Sequence, residues 1–253
     1  MRKLLEGADG MIYKGPSAYN QEDFLANYLK RRKRVESPNN AIEKPILMEL
    51  IQTASGQDVL DLGCGDAVYG LELLDIGAKS YTGVEGAAQM AELAKSTTAG
   101  TGIQIINESL EAYQFGSEKY DLVTSRFVIH YLQDIEGLFA KVYAALKEKG
   151  RFIFSVQHPL TTSSFKSKEQ SGRREDWIVD DYFIEGERNE PWIDKTVRKY
   201  HWTTEHYITA LLAAGFQLKA LREGKPERSR FATEEEYIRR TRVPIMLIFS
   251  CEK

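Results

Sequence analysis

Cysteine is almost missing from this chain: Cys64 and Cys251 are its only two in 253 residues, and they stand far apart. That excludes a disulfide framework and a cysteine-rich zinc site, and it fits a reducing compartment. Histidine is scarce as well, with four residues, so no metal-ligating set can be read. Neither charge sign dominates, since 34 Lys and Arg against 37 Asp and Glu leave a net charge of −3. There is thus no basic signature for nucleic acid or for an anionic membrane surface. The run Lys30-Arg31-Arg32-Lys33-Arg34 reads as a solvated helix face and turn. No hydrophobic run approaches the ~20 residues of a membrane span. The opening Met1-Arg2-Lys3-Leu4-Leu5-Glu6-Gly7 holds no apolar core of signal-peptide length. Internal repeats and low-complexity tracts are absent too. What is present, 42% hydrophobic and 28% charged residues, is ordinary for a globular protein. The expectation is a cytoplasmic protein with one α/β domain plus an insertion.

Pattern divides the chain into four stretches. Residues 1–55 read as an N-terminal helical cap, with helical spacing over 21–34 and 41–53 on either side of the breaker Ser37-Pro38-Asn39-Asn40. Over 56–157, short apolar strands alternate with helical segments. The strands fall at 58–62, 80–85, 103–107, 120–124 and 150–157, the helices at 68–76, 87–96 and 135–147. Such alternation implies a parallel, doubly wound sheet with right-handed crossovers. Residues 158–202 break the rhythm and are rich in aromatics, among them Phe165, Trp177, Tyr182, Phe183, Trp192 and Tyr200. Aromatics argue against disorder, so the stretch reads as a lid over a binding site, with a dimerisation arm as the other reading. Residues 203–253 complete the core with a helix over 203–214, capped by Thr203 or Thr204 and stopped by Gly215. Two strands follow at 216–222 and 244–251. The charged segment between them shows no crossover helix, which predicts an antiparallel last strand.

The most informative stretch is Val59-Leu60-Asp61-Leu62-Gly63-Cys64-Gly65-Asp66-Ala67: a buried strand, two glycines one apart, then a helix start. Glycines there let a ligand approach the backbone, and a helix N-terminus offers free N–H groups. A nicotinamide-dinucleotide fingerprint would need a small residue three after Gly65, where Val68 stands. A dehydrogenase is therefore the weaker reading. In a doubly wound sheet, ligands bind outside the carboxyl ends of the strands. That rule selects Glu85 after the second strand, Glu108-Ser109 after the third and Ser125-Arg126 after the fourth. A carboxylate at Glu85 can accept both hydroxyls of a ribose, and it can equally cap the following helix.

The Asp61-x-Gly63-x-Gly65-x-Ala67 pattern, with Glu85 and Tyr120-Asp121-Leu122-Val123-Thr124-Ser125-Arg126-Phe127-Val128-Ile129-His130, resembles the class I S-adenosylmethionine-dependent methyltransferases. It is most similar to their small-molecule group, the relatives of the quinone-pathway enzymes. The resemblance implies a Rossmann-like seven-stranded sheet of order 3-2-1-4-5-7-6. It implies S-adenosylmethionine as cofactor and S-adenosylhomocysteine as product. Asp61, Gly63, Cys64, Gly65 and Glu85 would lie along the ribose and loop, and Glu108 and Ser109 would meet the adenine. Ser125 and Arg126 would line the methionine end, and His130, near the start of an apolar helix, would lie near the reacting centre. Tyr19 would close over the cofactor. Arg126 departs from the many relatives that carry a small residue there.

The expected chemistry, methyl transfer to a small, aromatic or heterocyclic acceptor, needs orientation more than a catalytic triad. Where an acceptor must lose a proton a base helps, and His158 and His201 are the candidates by position. A nucleic-acid or protein methyltransferase and a non-catalytic binding module share the cofactor site. The first of these often carries Asn/Asp-Pro-Pro-aromatic where this chain has Thr124-Ser125-Arg126-Phe127. A small-molecule substrate, no nucleic acid or membrane partner, no metal, and a monomeric or homodimeric state complete the expectation.

Overall fold

A computed structural model describes residues 11–168 and 176–253. The first ten residues of the expected cap, including the segment read for a signal peptide, and 169–175 of the expected lid lie outside the described residues. In chain order the elements are β1 (Ile12–Lys14), α1 (Glu22–Arg32), α2 (Lys44–Ile51), β2 (Asp58–Leu62) and α3 (Val68–Asp75). Next come β3 (Ser80–Glu85), α4 (Ala88–Thr97), β4 (Gln104–Asn107), β5 (Tyr120–Arg126), α5 (Ile135–Ala145) and β6 (Leu146–Gln157). The chain ends with α6 (Pro159–Thr162), β7 (Gly186–Trp192), β8 (Lys195–His201), α7 (Thr204–Ala213), β9 (Gln217–Arg222), α8 (Glu234–Thr241) and β10 (Met246–Glu252).

The apolar strands can bury both faces, so they assemble into one central sheet. Its order is β4-β3-β2-β5-β6-β10-β9, with β2 through β6 parallel and β10 antiparallel to both neighbours. This is the expected 3-2-1-4-5-7-6 order with a reversed last strand. One face packs Phe152, Phe154 and Phe249 against Phe139 of α5 and Tyr207 of α7, with the Phe152 and Phe154 rings stacked 4.5 Å apart. The other face buries Val59 and Tyr81 in one cluster with Leu47 and Ile51 of α2 and Leu73 of α3. Close packing of α3 depends on Gly70, where a Cβ would fall 2.7 Å from the Tyr81 ring.

Two features depart from the sequence reading. No strand was assigned within the stretch read as a lid, yet β7 and β8 form an antiparallel hairpin there, and β1 adds to it in parallel, Ile12 opposite Thr196. A strand of the cap and two of the lid therefore share one small three-stranded sheet. The segment before β10 also contains α8, with Thr233 accepting from the Glu236 N–H, acids in the first turn and arginines in the last. That charge order complements the helix dipole.

Candidate functional site

At the carboxyl edge of the sheet lies a cavity of about 960 Å³, running from the β2 and β3 ends to the small sheet. The β2–α3 turn is built by Gly63 (φ 74°), Gly65 (φ 60°) and Ala67 (φ 55°), all left-handed. Glycine is required at the first for space as well, since a Cβ would meet Val128 at 2.3 Å. The Gly63 and Cys64 N–H groups both donate to the Val84 carbonyl, tying the turn to β3.

Glu85 ends β3 at the cavity wall. Its Oε2 accepts from the Gly65 N–H at 3.1 Å and its Oε1 from the Ala87 N–H at 2.8 Å. The capping reading of this residue is met, since it accepts from the Ala87 N–H on the approach to α4, and the residue also lines the cavity. Burial raises its pKa, opposed by those backbone N–H groups. Met90 and Leu110 supply apolar wall beside it. A carboxylate, two left-handed glycines and flat apolar flanks suit the ribose and base of an adenosyl group.

At the end of β5, Arg126 donates to Glu43 at 2.7 Å, with exposures of 8% and 0%, and lies 4.4 Å over the Tyr69 ring. Burial disfavours the cation, yet the Glu43 carboxylate more than offsets it and raises the Arg126 pKa. Glu43 in turn accepts from Ser155 at 2.5 Å and Asn39 at 3.3 Å. The charge at this position is therefore anchored to the cap, a link invisible from β5 alone.

His130 lies on the wall too, in a single 3-10 turn, Ile129–Tyr131, rather than in the expected helix. Its Nδ1 faces the Gln157 N–H at 3.4 Å, which assigns the neutral ring's proton to Nε2. Burial, then Lys199 and Lys168, hold its pKa well below the usual range. Tyr19 packs edge-on against Phe24, Tyr28 and Trp192, and its hydroxyl lies 3.3 Å from that of Tyr131. The turn at Gly15–Asn20 is thereby joined to the cavity wall and to the small sheet.

Several expected residues stand elsewhere. His158 lies off the cavity; its Nδ1 accepts from the Leu160 N–H at 3.1 Å to start α6, and its Nε2 is 3.3 Å from Glu223. His201, the last residue of β8, is fully buried, with Nδ1 2.8 Å from the Thr162 hydroxyl and Nε2 2.8 Å from the Tyr182 carbonyl. Both rings are held by structural bonds, and neither reaches the cavity as a base. Asp61 accepts from Tyr81 and Thr124, and Ser125 donates to the Leu62 carbonyl, so both brace the turn from beneath. Cys64 borders a smaller recess of about 50 Å³. Leu110 and Glu111, rather than Glu108 and Ser109, meet the cavity, because Ser109 closes a turn by accepting from Ala112. The sequence reading missed Gln157, Lys168 and Arg240, which line the far end together with Trp192 and Tyr200, two aromatics of the stretch read as a lid. Only Gln157, at the tip of β6, was within reach of the strand-end rule.

Comparison with known proteins matches residues 60–154 to a family described as a methyltransferase domain. A candidate S-adenosylmethionine-dependent methyltransferase from Listeria monocytogenes, known as a crystal structure, is 30% identical. That match covers 83% of this chain and 96% of that one, with a TM-score of 0.75. An S-adenosylmethionine-dependent methyltransferase from Mesorhizobium loti is 28% identical over 85% of this chain and all of its own, with a TM-score of 0.78. An uncharacterised Haemophilus influenzae protein is 29% identical over 82% of this chain and 85% of its own length.

Proposed function

Because this chain belongs to the class I S-adenosylmethionine-dependent methyltransferases and uses that cofactor, we propose that it methylates a small-molecule acceptor, aromatic or heterocyclic. One observation carries the acceptor reading. The cavity continues past the β2 and β3 ends into a chamber walled by Tyr131, Trp192 and Tyr200, under the β1-β8-β7 sheet. Small-ligand pockets are concave with aromatic walls and a few placed polar groups, and this end combines Tyr131, Trp192 and Tyr200 with Gln157 and Lys168.

When bound, S-adenosylmethionine supplies an electrophilic methyl group on a sulfonium. The chain's part is to orient and to exclude water. Glu85 would hold the ribose hydroxyls while Gly65 keeps its carboxylate fixed. Arg126, locked by Glu43, would sit at the methionine end. The small sheet covers the acceptor, and orientation of this kind can contribute about 7–11 kcal/mol in well-aligned systems. The titratable side chains on the acceptor wall include His130, Tyr131, Lys168 and Tyr200, so any proton handling falls to this wall rather than to His158 or His201.

The test has two stages. Calorimetric titration with S-adenosylmethionine, S-adenosylhomocysteine and NAD should give micromolar binding for the two adenosyl ligands and none for NAD. Label from methyl-tritiated cofactor should then enter the low-molecular-weight fraction of a cell extract. Label confined to protein or nucleic acid would overturn the small-molecule reading.

A further inference from the structure

Two lysines share one buried carboxylate beside the cavity. Glu190 of β7 is fully buried; its Oε1 meets the Lys168 ammonium and its Oε2 that of Lys199 on β8. Lys199 is fully buried too, whereas the Lys168 side chain keeps 21% exposure and, of the three, lines the cavity. Among the described residues, the other titratable groups facing the cluster are His130 and Tyr131, on the turn after β5. Both lysines act on the His130 ring, and Lys199 Nζ lies 5.1 Å from the centre of the Tyr131 ring. Two ammoniums against one carboxylate leave an excess positive charge in a nearly dry interior, and an unmatched buried charge is strongly disfavoured. The cluster therefore gives up one proton readily, and burial pushes Lys199 well below the usual lysine range. Because Glu190 touches both lysines, the neutral amine can stand at either, and only Lys168 offers it to the cavity.

The remaining wall groups are less suited to take a proton. His130 Nδ1 already receives the Gln157 N–H, so its other nitrogen carries a proton. Burial raises the Tyr131 hydroxyl, which stays protonated near neutral pH, and the Tyr200 hydroxyl donates to Gln133. A lysine is a base once neutral, and a neighbouring cation is one way to make it so. Resting on the small-acceptor reading above, we propose that Lys168 is the general base of the transfer, that Glu190 and Lys199 set its protonation, and that the acceptor is methylated on an ionisable hydroxyl. The acceptor's proton passes to Lys168 Nζ, and the electron pair stays on the oxygen to form its bond to the methyl group. The pair of the broken methyl–sulfur bond leaves with S-adenosylhomocysteine. The added proton is shared by the cluster, where Lys199 Nζ lies 4.2 Å from the Trp192 ring and Lys168 Nζ 5.2 Å from the Phe165 ring, surfaces that stabilise a cation. It returns to water after product release.

The first readout needs no acceptor. Full-length protein is trace-labelled with acetic anhydride from pH 6 to 11, and acetylation of Lys168 is followed by peptide mass spectrometry. Its midpoint should fall about two pH units or more below that of the same lysine in the urea-denatured chain, as a buried like-charge neighbour requires. Lys199→Met should return the midpoint most of the way. The second readout is methyl transfer to the low-molecular-weight fraction of a cell extract. Lys168→Ala should lose roughly a hundredfold or more in rate while its affinity for S-adenosylhomocysteine persists and reports that it folds. Added ethylamine should restore part of that rate in proportion to its free-base fraction, whereas Lys168→Arg, which keeps its proton, should stay inactive. Equal Lys168 midpoints in native and denatured protein, a midpoint unmoved by Lys199→Met, or a Lys168→Ala protein at the wild-type rate would each overturn the proposal. Label entering small molecules equally in wild type and Lys168→Ala sinks the base alone, whereas label entering only macromolecules sinks both readings.

Discussion

Glu85 holds the Gly65 and Ala87 N–H groups with its two carboxylate oxygens, so its removal acts twice, on the cofactor and on the turn that cradles it. Glu85→Ala should weaken S-adenosylmethionine binding by about 1–3 kcal/mol, the loss expected when a charged hydrogen-bond acceptor disappears. Calorimetry on a variant with native circular dichroism checks this, and unchanged affinity would remove Glu85 from the ribose. Glu43 shows a different kind of dependence. It is fully buried and paired with Arg126, and deleting one partner of a buried ion pair leaves an uncompensated charge. Glu43→Gln should therefore destabilise the fold by about 3–5 kcal/mol in urea unfolding. A double variant with Arg126→Met should recover part of that loss, because the pair is then removed as a unit. If the double variant is no more stable than Glu43→Gln, the pair does not account for the loss.

Among the elements, the central strands were legible from short runs of strand-forming residues between turn signals, and β2, β3 and β5 are buried along most of their length. The hairpin was not, for a specific reason. In β8 the inward positions are Val197, Lys199 and His201, two of them polar, and a reading of hydrophobic alternation cannot recognise such a strand. Those side chains are tolerated inside because Lys199 pairs with Glu190 and lies 4.2 Å from the Trp192 ring, while His201 bonds Thr162 and Tyr182. The helix α8 did carry a visible signal, Thr233 followed three residues later by Glu236, a capping-box spacing hidden within a highly charged segment. Arg240 reaches the cavity only through tertiary placement, which no local pattern encodes, whereas Trp192 stood among the aromatics read as a lid. The pairing of β1 with β8 has a functional consequence. Replacing residues 186–201 by a short Gly-Ser linker should lower both turnover and cofactor affinity, since β1 loses its partner and Tyr19 loses Trp192. The same variant should leave the main unfolding transition near its wild-type temperature, because the seven-stranded sheet keeps its own core. Cofactor affinity unchanged in titration would show that the Gly15–Asn20 turn stands without the small sheet.

For the whole molecule, the histidines couple stability to pH in two opposing directions. Burial holds the pKa of His130, His158 and His201 below the ordinary value. The unfolded chain then binds more protons, and stability from these three falls as pH drops below about 6.5. The carboxyls of Asp61 and Glu85, raised by burial, act the other way in the acidic range, so the total curve mixes signs. His206 offers a cleaner reading. Burial lowers its pKa, but Glu185 and Glu136, each 2.7 Å from a ring nitrogen, outweigh that and raise it. A raised histidine contributes stability that is fully present below the unfolded value near 6.5 and is lost as pH rises through the higher folded value. The bridge ties α7 to the start of α5 and to the segment leading into β7, so the contribution is felt across the fold. Melting temperatures of the wild type and His206→Gln, measured from pH 5.5 to 9, should differ most at the acid end and converge at the alkaline end. Because Gln keeps a hydrogen-bonding side chain but cannot take up a proton, a gap that stays constant across that range would mean the bridge carries no charge.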